Sequence, residues 1–428
     1  MQALILTGGK GTRLGLTSKP KPMVIINGKP LLEHTVELLI DSGFKEIIFL
    51  NGYLANKIEK YFTQDKFPRI KIKHMKETIP LGTAGCINQV KDSLKDWFFV
   101  IYGDLLINID FKKFYKTSIK NGDYGTLFAH PNGHPHDSDL LNVGEDNKIN
   151  RIFLKPHTKE IITRNVVNAA VYCLNKKIIK YIPTGKKSDW MKDVFGKTIN
   201  KIYAYHSSEI VFDVGTKKRI TKARNLLKNN FYGTNRKAVF LDRDGVINYE
   251  INGVYNHNDM KLLPGVGRAI KSLNDVNILV ICITNQPGVA KGFMSQDDLE
   301  KIHAKLDFLL GKEGAYLDDI LYCPHHPEKG WDGEIKHLKI NCKCRKPKPK
   351  LFKDAIKKHN ISEKNSFFIS DTLKDLEVSK YINITPILVM TGYGKKQLNN
   401  NNQKVLYSSS LNSAVSKILS NDNIQNTL

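Results

Sequence analysis

The chain has 428 residues, 41% hydrophobic and 25% charged, a size and composition that exclude a disordered protein and a single ordinary core. The net charge of +24 comes without a helix-turn-helix, zinc-finger or aromatic-interleaved basic pattern, so we expect anionic, phosphorylated substrates and no nucleic-acid partner. No apolar run approaches the ~20 residues of a membrane span, and the N-terminus lacks a basic leader and a cleavage site. We therefore expect a cytoplasmic protein with no membrane partner.

Apolar runs rich in β-branched residues alternate with helical patterns through the first half. The pattern predicts strands over Ala3–Thr7, Glu46–Leu50 and Trp97–Tyr102 and a helix over Pro30–Ser42. Alternation of this kind is typical of parallel sheets with helices on both faces. Ligands of such sheets bind beyond the carboxyl ends of the strands, which is where Asp104 falls.

The alternation restarts in the second half, with strands over Ala238–Leu241, Val276–Thr284 and Ser366–Ser370 and a last amphipathic helix over Leu411–Leu419. Between the halves, Asn225–Asn235 contains a helix end followed by Gly and Asn, which is typical of a linker. We therefore predict an α/β protein of two Rossmann-like doubly wound domains. Their expected bounds are 1–230 and 237–421, with a linker at 231–236 and a tail at 422–428.

Candidate catalytic residues follow the strands of the second half. Asp242 and Asp244, in FLDRDGVIN, suit a metal-dependent phosphoryl transfer in which one carboxylate attacks phosphorus and the other moves a proton. The other candidates are donors, cations or carboxylates that could surround a phosphoryl group: Thr284 and Asn285 as donors, Arg345 and Lys346 as cations, and Asp371 as a second metal carboxylate.

These motifs resemble those of the haloacid dehalogenase superfamily, most closely its small, capless heptose-bisphosphate and histidinol-phosphate phosphatases, over about residues 236–419. The resemblance implies that Asp242 is the nucleophile, that Asp244 is the general acid/base, and that Thr284 and Lys346 hold the phosphoryl group. It also implies Mg²⁺ bound by Asp242, the backbone carbonyl of Asp244, and Asp371.

The chain departs from this family in its fourth motif. It has Ser370-Asp371-Thr372 where Gly-Asp is usual. Asp371 is retained, so we expect metal binding to be retained as well.

Three cysteines and a histidine form a second constellation, Cys323-Pro-His325 and Cys342-Lys-Cys344. Three thiolates and an imidazole make a closed tetrahedral set for a structural Zn²⁺, and in a reducing compartment such clustering favours metal over disulfide. The resemblance supports the same ligands, and we prefer His325 to its neighbour His326 because its spacing from Cys323 matches the family. The metal would order the intervening segment 326–341, which has few apolar anchors, and would position Arg345-Lys346.

The first half begins with a glycine-rich loop, GGKGTRL at Gly8–Leu14, after its first strand. Glycines there let backbone N–H groups approach an anion. With KPKPM at 19–23, PLGTAG at 80–85, Gly103-Asp104 and DVGT at 213–216, the loop resembles the sugar-1-phosphate nucleotidyltransferases over roughly residues 1–230. The pattern is not a dinucleotide-binding fingerprint.

In that family a sugar-phosphate oxygen attacks the α-phosphate of a nucleoside triphosphate and pyrophosphate leaves, so positioning and charge neutralisation dominate. The segment between Arg13 and Lys21 is shorter here than is usual. The resemblance implies roles by ligand: Gly8, Gly9, Gly11 and Arg13 for the triphosphate, Lys21 for the reacting phosphates, Asp104 and Asp213 for Mg²⁺, Gly82 and Thr83 for the nucleotide, and Lys155 and Asn168 for the sugar phosphate.

The two halves make chemical sense in reverse order, because a phosphatase acting on a sugar 1,7-bisphosphate leaves the sugar 1-phosphate that a nucleotidyltransferase uses. The chain resembles a D-glycero-D-manno-heptose-1-phosphate guanylyltransferase fused to a D-glycero-D-manno-heptose-1,7-bisphosphate 7-phosphatase, which implies GTP as the nucleotide. Two alternatives stay open. The second half could act on histidinol phosphate, or the first half could be a degenerate or regulatory nucleotide-binding module.

Overall fold

The computed structural model describes residues 1–9, 18–157, 159–228, 235–399 and 405–420. The chain divides into two compact units that are not simply its two halves. The first unit comprises Met1–His130, Asp139–Lys155 and Val166–Tyr232, and the second comprises Pro131–Ser138, Pro156–Asn165 and Gly233–Leu428. The predicted bounds of 1–230 and 237–421 remain a sequence-based proposal, and most of the predicted linker and all of the tail lie outside the described residues.

The first unit is built on a mixed sheet in the order β10-β9-β11-β6-β1-β4-β5, with β8 between β11 and β12. Its strands are β1 (Gln2–Leu6), β2 (Ile25–Ile26), β3 (Lys29–Pro30), β4 (Glu46–Asn51), β5 (Lys71–Lys76), β6 (Trp97–Tyr102), β7 (Leu105–Asn108), β8 (Gly125–His130), β9 (Leu140–Val143), β10 (Ile149–Phe153), β11 (Val167–Asn175), β12 (Tyr203–His206) and β13 (Ile210–Asp213). Its helices are α1 (Leu31–Asp41), α2 (Ala55–Tyr61), α3 (Gly82–Gly85), α4 (Phe111–Asn121) and α5 (Lys217–Lys228).

The residues of strand β1 are buried on both faces of the sheet. Ala3 and Ile5 pack into one apolar cluster and Leu4 into another, so both faces of the strand are covered. A strand buried on both faces reads as a continuous apolar run, as this one does. It pairs in parallel with β4 and β6, whereas β11 runs antiparallel to β6.

The second unit contains an all-parallel sheet in the order β16-β15-β14-β17-β18-β19. Its strands are β14 (Ala238–Leu241), β15 (Leu279–Asn285), β16 (Asp319–Cys323), β17 (Phe367–Ser370), β18 (Thr385–Val389) and β19 (Tyr407–Ser408). Its helices are α6 (Val266–Asp275), α7 (Gln296–Lys312), α8 (Lys350–His359), α9 (Leu373–Leu376), α10 (Gly394–Asn399) and α11 (Leu411–Leu419).

The central strands of this sheet place the candidate residues side by side. Asp242 follows β14, Thr284 lies at the end of β15, and Asp371 follows β17, while β14 pairs with both of the others. Because parallel strands end at one edge, these three side chains meet there.

The α/β architecture agrees with the sequence prediction, and two details differ. The strand predicted over Val276–Thr284 begins only at Leu279, because Val276 caps α6 and Asn277 turns the chain with a φ of 61°. The first unit also contains antiparallel strands that the alternating pattern did not indicate. Within the described ranges, no helix combines the length and the apolar character that a membrane crossing requires.

Candidate active sites and metal centre

A buried lysine lies between two carboxylates at the carboxyl edge of the second sheet. The Nζ atom of Lys346 is 2.7 Å from Asp242 Oδ2 and 2.9 Å from Asp375 Oδ2. Burial acts to raise the pKa of Asp242, and the Lys346 ammonium that pairs with it acts in the opposite direction, to keep the carboxylate ionised. The sequence prediction brought Asp242 and Lys346 together but missed Asp375, whose only signal was its position four residues after Asp371.

Asp371 lies beside this pair in a space that two glycines keep open. A Cβ atom on Gly245 would lie 2.2 Å from Asp371 Oδ2, and one on Gly392 would lie 2.1 Å from it. The backbone N–H of Tyr393 donates to the same oxygen at 2.9 Å. Burial raises the pKa of Asp371 to about 6. A buried site with several carboxylates and one lysine suits a hard divalent cation with oxygen ligands, such as Mg²⁺.

Asp244 has a different environment, which keeps it ionised. Its carboxylate accepts hydrogen bonds from Arg243, Asn248 and Gln286, each with one contact at 2.9 Å. Burial alone would raise its pKa, but the Arg243 guanidinium and these hydrogen bonds outweigh burial and lower it. An ionised carboxylate beside Asp242 can accept and return a proton.

Two neighbouring residues at the end of β15, Thr284 and Asn285, make different contacts. Thr284 is buried, and its Oγ1 accepts a hydrogen bond from Gln286 Nε2 at 2.8 Å. The Oδ1 of Asn285 accepts the backbone N–H of Lys346 at 2.9 Å, and its Nδ2 donates to the Lys346 carbonyl at 3.4 Å. The Asn285 amide thus holds the Lys346 backbone in place, and its role as a phosphate donor stays a prediction.

The four predicted zinc ligands converge. The ligand atoms of Cys323, His325, Cys342 and Cys344 all lie within 4.8 Å of one another, and the three sulfur atoms are separated by 3.3–3.5 Å. Sulfur ligands of a tetrahedral zinc ion lie about 3.8 Å apart, so the set fits that metal. Arg345 Nη1 donates to the His325 carbonyl at 3.4 Å, which links the cluster to the Arg345-Lys346 pair.

The segment between these ligands also has an anchor of its own. Trp331 lies between two lysines, with Lys291 Nζ 4.4 Å and Lys339 Nζ 4.1 Å from its ring centre. The ring of His326 packs edge-on against Trp331, with its centre 5.2 Å away, so His326 contacts the tryptophan while His325 joins the metal cluster. Cation–π contacts therefore help to order a segment for which the sequence suggested a metal alone.

The first unit contains a cavity of about 460 Å³ at the carboxyl ends of its central strands. It is bordered by Gly8, Gly9, Lys21, Gly82, Thr83 and Asp104 from the predicted set, and also by Glu77 and Lys187, which the sequence prediction missed. Glu77 Oε1 accepts the Leu81 N–H at 3.2 Å, and a Cβ atom on Gly8 would lie 3.0 Å from its Oε2. Gly11 and Arg13 lie outside the described residues.

Lys21 occupies the space between the two predicted metal carboxylates. Its Nζ atom is 2.5 Å from Asp104 Oδ2 and 2.8 Å from Asp213 Oδ1. Burial acts to lower the pKa of Lys21, but the two carboxylates outweigh burial and raise it. Asp213 also pairs with Arg219. Two carboxylates placed in this way can hold a divalent metal ion as well as a lysine.

The remaining predicted residues fall into two groups. The Oγ1 atom of Thr83 donates to Asp189 at 2.5 Å and accepts the Trp190 N–H at 3.2 Å, so this hydroxyl holds a neighbouring segment at the cavity wall. Lys155 and Asn168 both contact Asp139 through their backbone N–H groups, at 3.0 and 3.1 Å. The structure brings this pair together but does not place it among the residues that border the cavity.

Comparisons with known proteins match both parts of the chain. The nucleotidyl transferase family model matches residues 2–230, and the HAD-hydrolase-like model matches residues 343–414. The D-glycero-beta-D-manno-heptose-1,7-bisphosphate 7-phosphatase of Haemophilus ducreyi is 40% identical over 159 residues, which cover 37% of this chain and 85% of that protein. The protein of the same name from Rhodopseudomonas palustris is 39% identical over 145 residues, 34% of this chain and 78% of that protein.

Among solved structures, HddC from Yersinia pseudotuberculosis is 30% identical, with a TM-score of 0.46, and the match covers 53% of this chain and 99% of that chain. The chain is thus a fusion: it belongs to the nucleotidyl transferase family through residues 2–230 and, through its C-terminal part, to the HAD-like phosphatase family of the Haemophilus and Rhodopseudomonas proteins.

Proposed function

We propose that the chain is a bifunctional enzyme of nucleotide-sugar synthesis. The second unit removes the 7-phosphate of D-glycero-D-manno-heptose 1,7-bisphosphate, and the first unit transfers GMP from GTP to the resulting heptose 1-phosphate. The observation that carries this proposal is the presence of both families in one chain, because the product of one reaction is the nucleophile of the other. Since GTP and sugar phosphates are cytoplasmic metabolites, we place the reaction in the cytoplasm, where the product would supply surface glycans such as lipopolysaccharide.

In the phosphatase reaction, a carboxylate oxygen of Asp242 attacks phosphorus and the bond from phosphorus to the sugar oxygen breaks. The proton that the leaving oxygen needs comes from the monoanionic phosphate of the substrate and passes through Asp244, which is ionised before the substrate binds. Asp244 then takes a proton from the water that hydrolyses the aspartyl-phosphate. Lys346 and Thr284 hold the phosphoryl oxygens, while Asn285 fixes the Lys346 backbone. Asp242, the Asp244 carbonyl and Asp371 would hold Mg²⁺, which neutralises charge on the transferring group.

In the transferase reaction, the residues of the first unit position two anions. Gly8 and Gly9 border the cavity and would offer backbone N–H groups to the triphosphate, with Gly11 and Arg13 as further candidates. Asp104 and Asp213 would hold Mg²⁺, which neutralises the triphosphate, and Lys21 would then contact the reacting phosphates. Lys155 and Asn168 are the candidates for the sugar phosphate. The Zn²⁺ proposed in the second unit has a structural role only.

The test supplies the purified protein with heptose 1,7-bisphosphate of either anomer, Mg²⁺ and one of the four nucleoside triphosphates, and follows phosphate and pyrophosphate separately. We expect phosphate without nucleotide, and pyrophosphate only when GTP is added. Asp242→Asn should release neither product from the bisphosphate but should still release pyrophosphate from supplied heptose 1-phosphate. Asp104→Ala should lose only pyrophosphate.

Two other results would assign a different function to one of the units. Faster hydrolysis of histidinol phosphate than of heptose bisphosphate would assign the second unit to that substrate. Binding of nucleotide without release of pyrophosphate from supplied heptose 1-phosphate would make the first unit a regulatory module.

A further inference from the structure

Ser370, the residue by which this chain departs from the usual Gly-Asp motif, lies directly against the proposed nucleophile. It ends β17 and is fully buried. Its hydroxyl donates to Asp242 Oδ2 with an Oγ–Oδ2 distance of 3.1 Å. The backbone N–H of Thr372 donates to the same Oγ atom at 3.2 Å, which leaves the hydroxyl proton free to point at the carboxylate. A glycine at this position offers no such donor.

The hydrogen bond completes the set of donors around Asp242. Oδ1 accepts the backbone N–H of Arg243 at 2.8 Å, while Oδ2 forms an ion pair with Lys346 Nζ at 2.7 Å and accepts the Ser370 hydroxyl. Lys346 divides its charge between Asp242 and Asp375. The Ser370 hydroxyl, which also lies 3.4 Å from Thr372 Oγ1, is therefore the uncharged side-chain donor to Asp242 in this set.

The charge of Asp242 changes during the proposed reaction. A full negative charge is present on the free carboxylate, is lost when an oxygen forms the bond to phosphorus, and returns when that bond breaks. A hydrogen bond to an ionised acceptor is stronger than one to a neutral acceptor. A fixed donor therefore favours the step that regenerates the carboxylate.

We propose that Ser370 is a positioning residue that holds the Asp242 carboxylate and accelerates hydrolysis of the aspartyl-phosphate. In that step a water oxygen bonds to phosphorus as Asp244 takes its proton. The bond from phosphorus to the Asp242 oxygen breaks, its electron pair stays on the carboxylate, and inorganic phosphate leaves. The inference rests on the proposed phosphatase activity.

The experiment measures the phosphorylated enzyme directly. Wild type, Ser370→Gly and Ser370→Ala are phosphorylated with labelled acetyl phosphate or with heptose 1,7-bisphosphate labelled at position 7, then chased with unlabelled substrate and quenched in acid. We expect the labelled enzyme to decay about tenfold more slowly in both variants. The value of kcat/KM, which reports formation of the aspartyl-phosphate, should change less than twofold, and Ser370→Thr should restore faster decay.

A second buried serine next to the same strand supplies the matched control. Ser366 precedes β17 and is fully buried, but its hydroxyl contacts only backbone groups, the Ser362 carbonyl at 2.6 Å and the Ala238 N–H at 3.1 Å. The labelled aspartyl-phosphate of Ser366→Ala should therefore decay at the wild-type rate. Unchanged decay in the Ser370 variants, or equal slowing in Ser366→Ala, would overturn the inference. Phosphate release by Asp242→Asn would instead refute the proposed function itself.

Discussion

Gly245 and Gly392 flank the Asp371 carboxylate so closely that neither position has room for a side chain. Gly245 also has a φ of 76°, in the left-handed region that favours glycine. A side chain at position 245 would therefore be disfavoured for two reasons, the positive φ angle and the short distance to Asp371. A glycine that has a similar φ angle but no close neighbour separates the two effects.

Gly245→Ala should lower phosphatase activity at least about a hundredfold, because the added methyl group displaces the carboxylate that would hold Mg²⁺. The measurement is phosphate release at saturating Mg²⁺. Pyrophosphate release from supplied heptose 1-phosphate and GTP is the internal reference and should stay unchanged. Gly265→Ala is the control, since its φ is 77° but the nearest atom to its Cβ is 3.8 Å away. Both variants share a conformational cost of about 1–2 kcal/mol. Equal phosphatase activity in Gly245→Ala and Gly265→Ala would show that the contact with Asp371 is not the cause of the loss.

The sequence was sufficient to predict which residues meet at the ends of neighbouring strands. It was insufficient to predict side-chain contacts with distant parts of the chain. Asp242, Thr284 and Asp371 come together because parallel strands share an edge. By contrast, Asn285 turns to the Lys346 backbone, a contact between residues far apart in the chain. Contacts of that kind depend on side-chain direction in the folded state and leave no periodic signal.

The same distinction applies to secondary structure. The strands Trp97–Tyr102 and Ala238–Leu241 and the helix Leu411–Leu419 have the bounds that the apolar pattern predicts. The antiparallel partners of β6 and β8 were missed because strand direction is set by the connections and not by residue type. The start of β15 was misplaced because Asn277 turns the chain inside an apolar run.

The segment between Cys323 and Cys344 depends on two anchors, a metal cluster and Trp331. Loss of one zinc ligand removes metal-binding free energy that contributes to folding of the segment. Cys342→Ser and His325→Ala should therefore each lose most of about one equivalent of bound zinc and lower the Tm by several degrees. The measurements are metal analysis and thermal unfolding.

The neighbouring histidine provides the control for this prediction. His326 contacts Trp331 and not the cluster, so His326→Ala should keep its zinc. Retention of zinc by Cys342→Ser, or loss of zinc from His326→Ala alone, would show that the ligand set is different.

At the level of the complete chain, each proposed site has all of its described residues inside one unit: Asp104 and Lys21 in the first, and Asp242 and Lys346 in the second. Each reaction should then proceed without the other. A mixture of Asp242→Asn and Asp104→Ala proteins should restore pyrophosphate release from heptose 1,7-bisphosphate and GTP, because the heptose 1-phosphate made by one protein can diffuse to the other. If each variant keeps its remaining half-reaction and the mixture stays inactive, the intermediate is not released.

The position of Lys21 between Asp104 and Asp213 has a consequence for the order in which ligands bind. The Lys21 ammonium group lies between the two carboxylates that would hold the proposed Mg²⁺, so the metal would have to compete with a covalently tethered cation. Incoming phosphates give the displaced lysine a new anionic partner. The metal and the nucleotide should therefore each increase the affinity for the other, as linkage requires. A lysine in this position would make occupation of the Asp104–Asp213 pair depend on the metal and the nucleotide together.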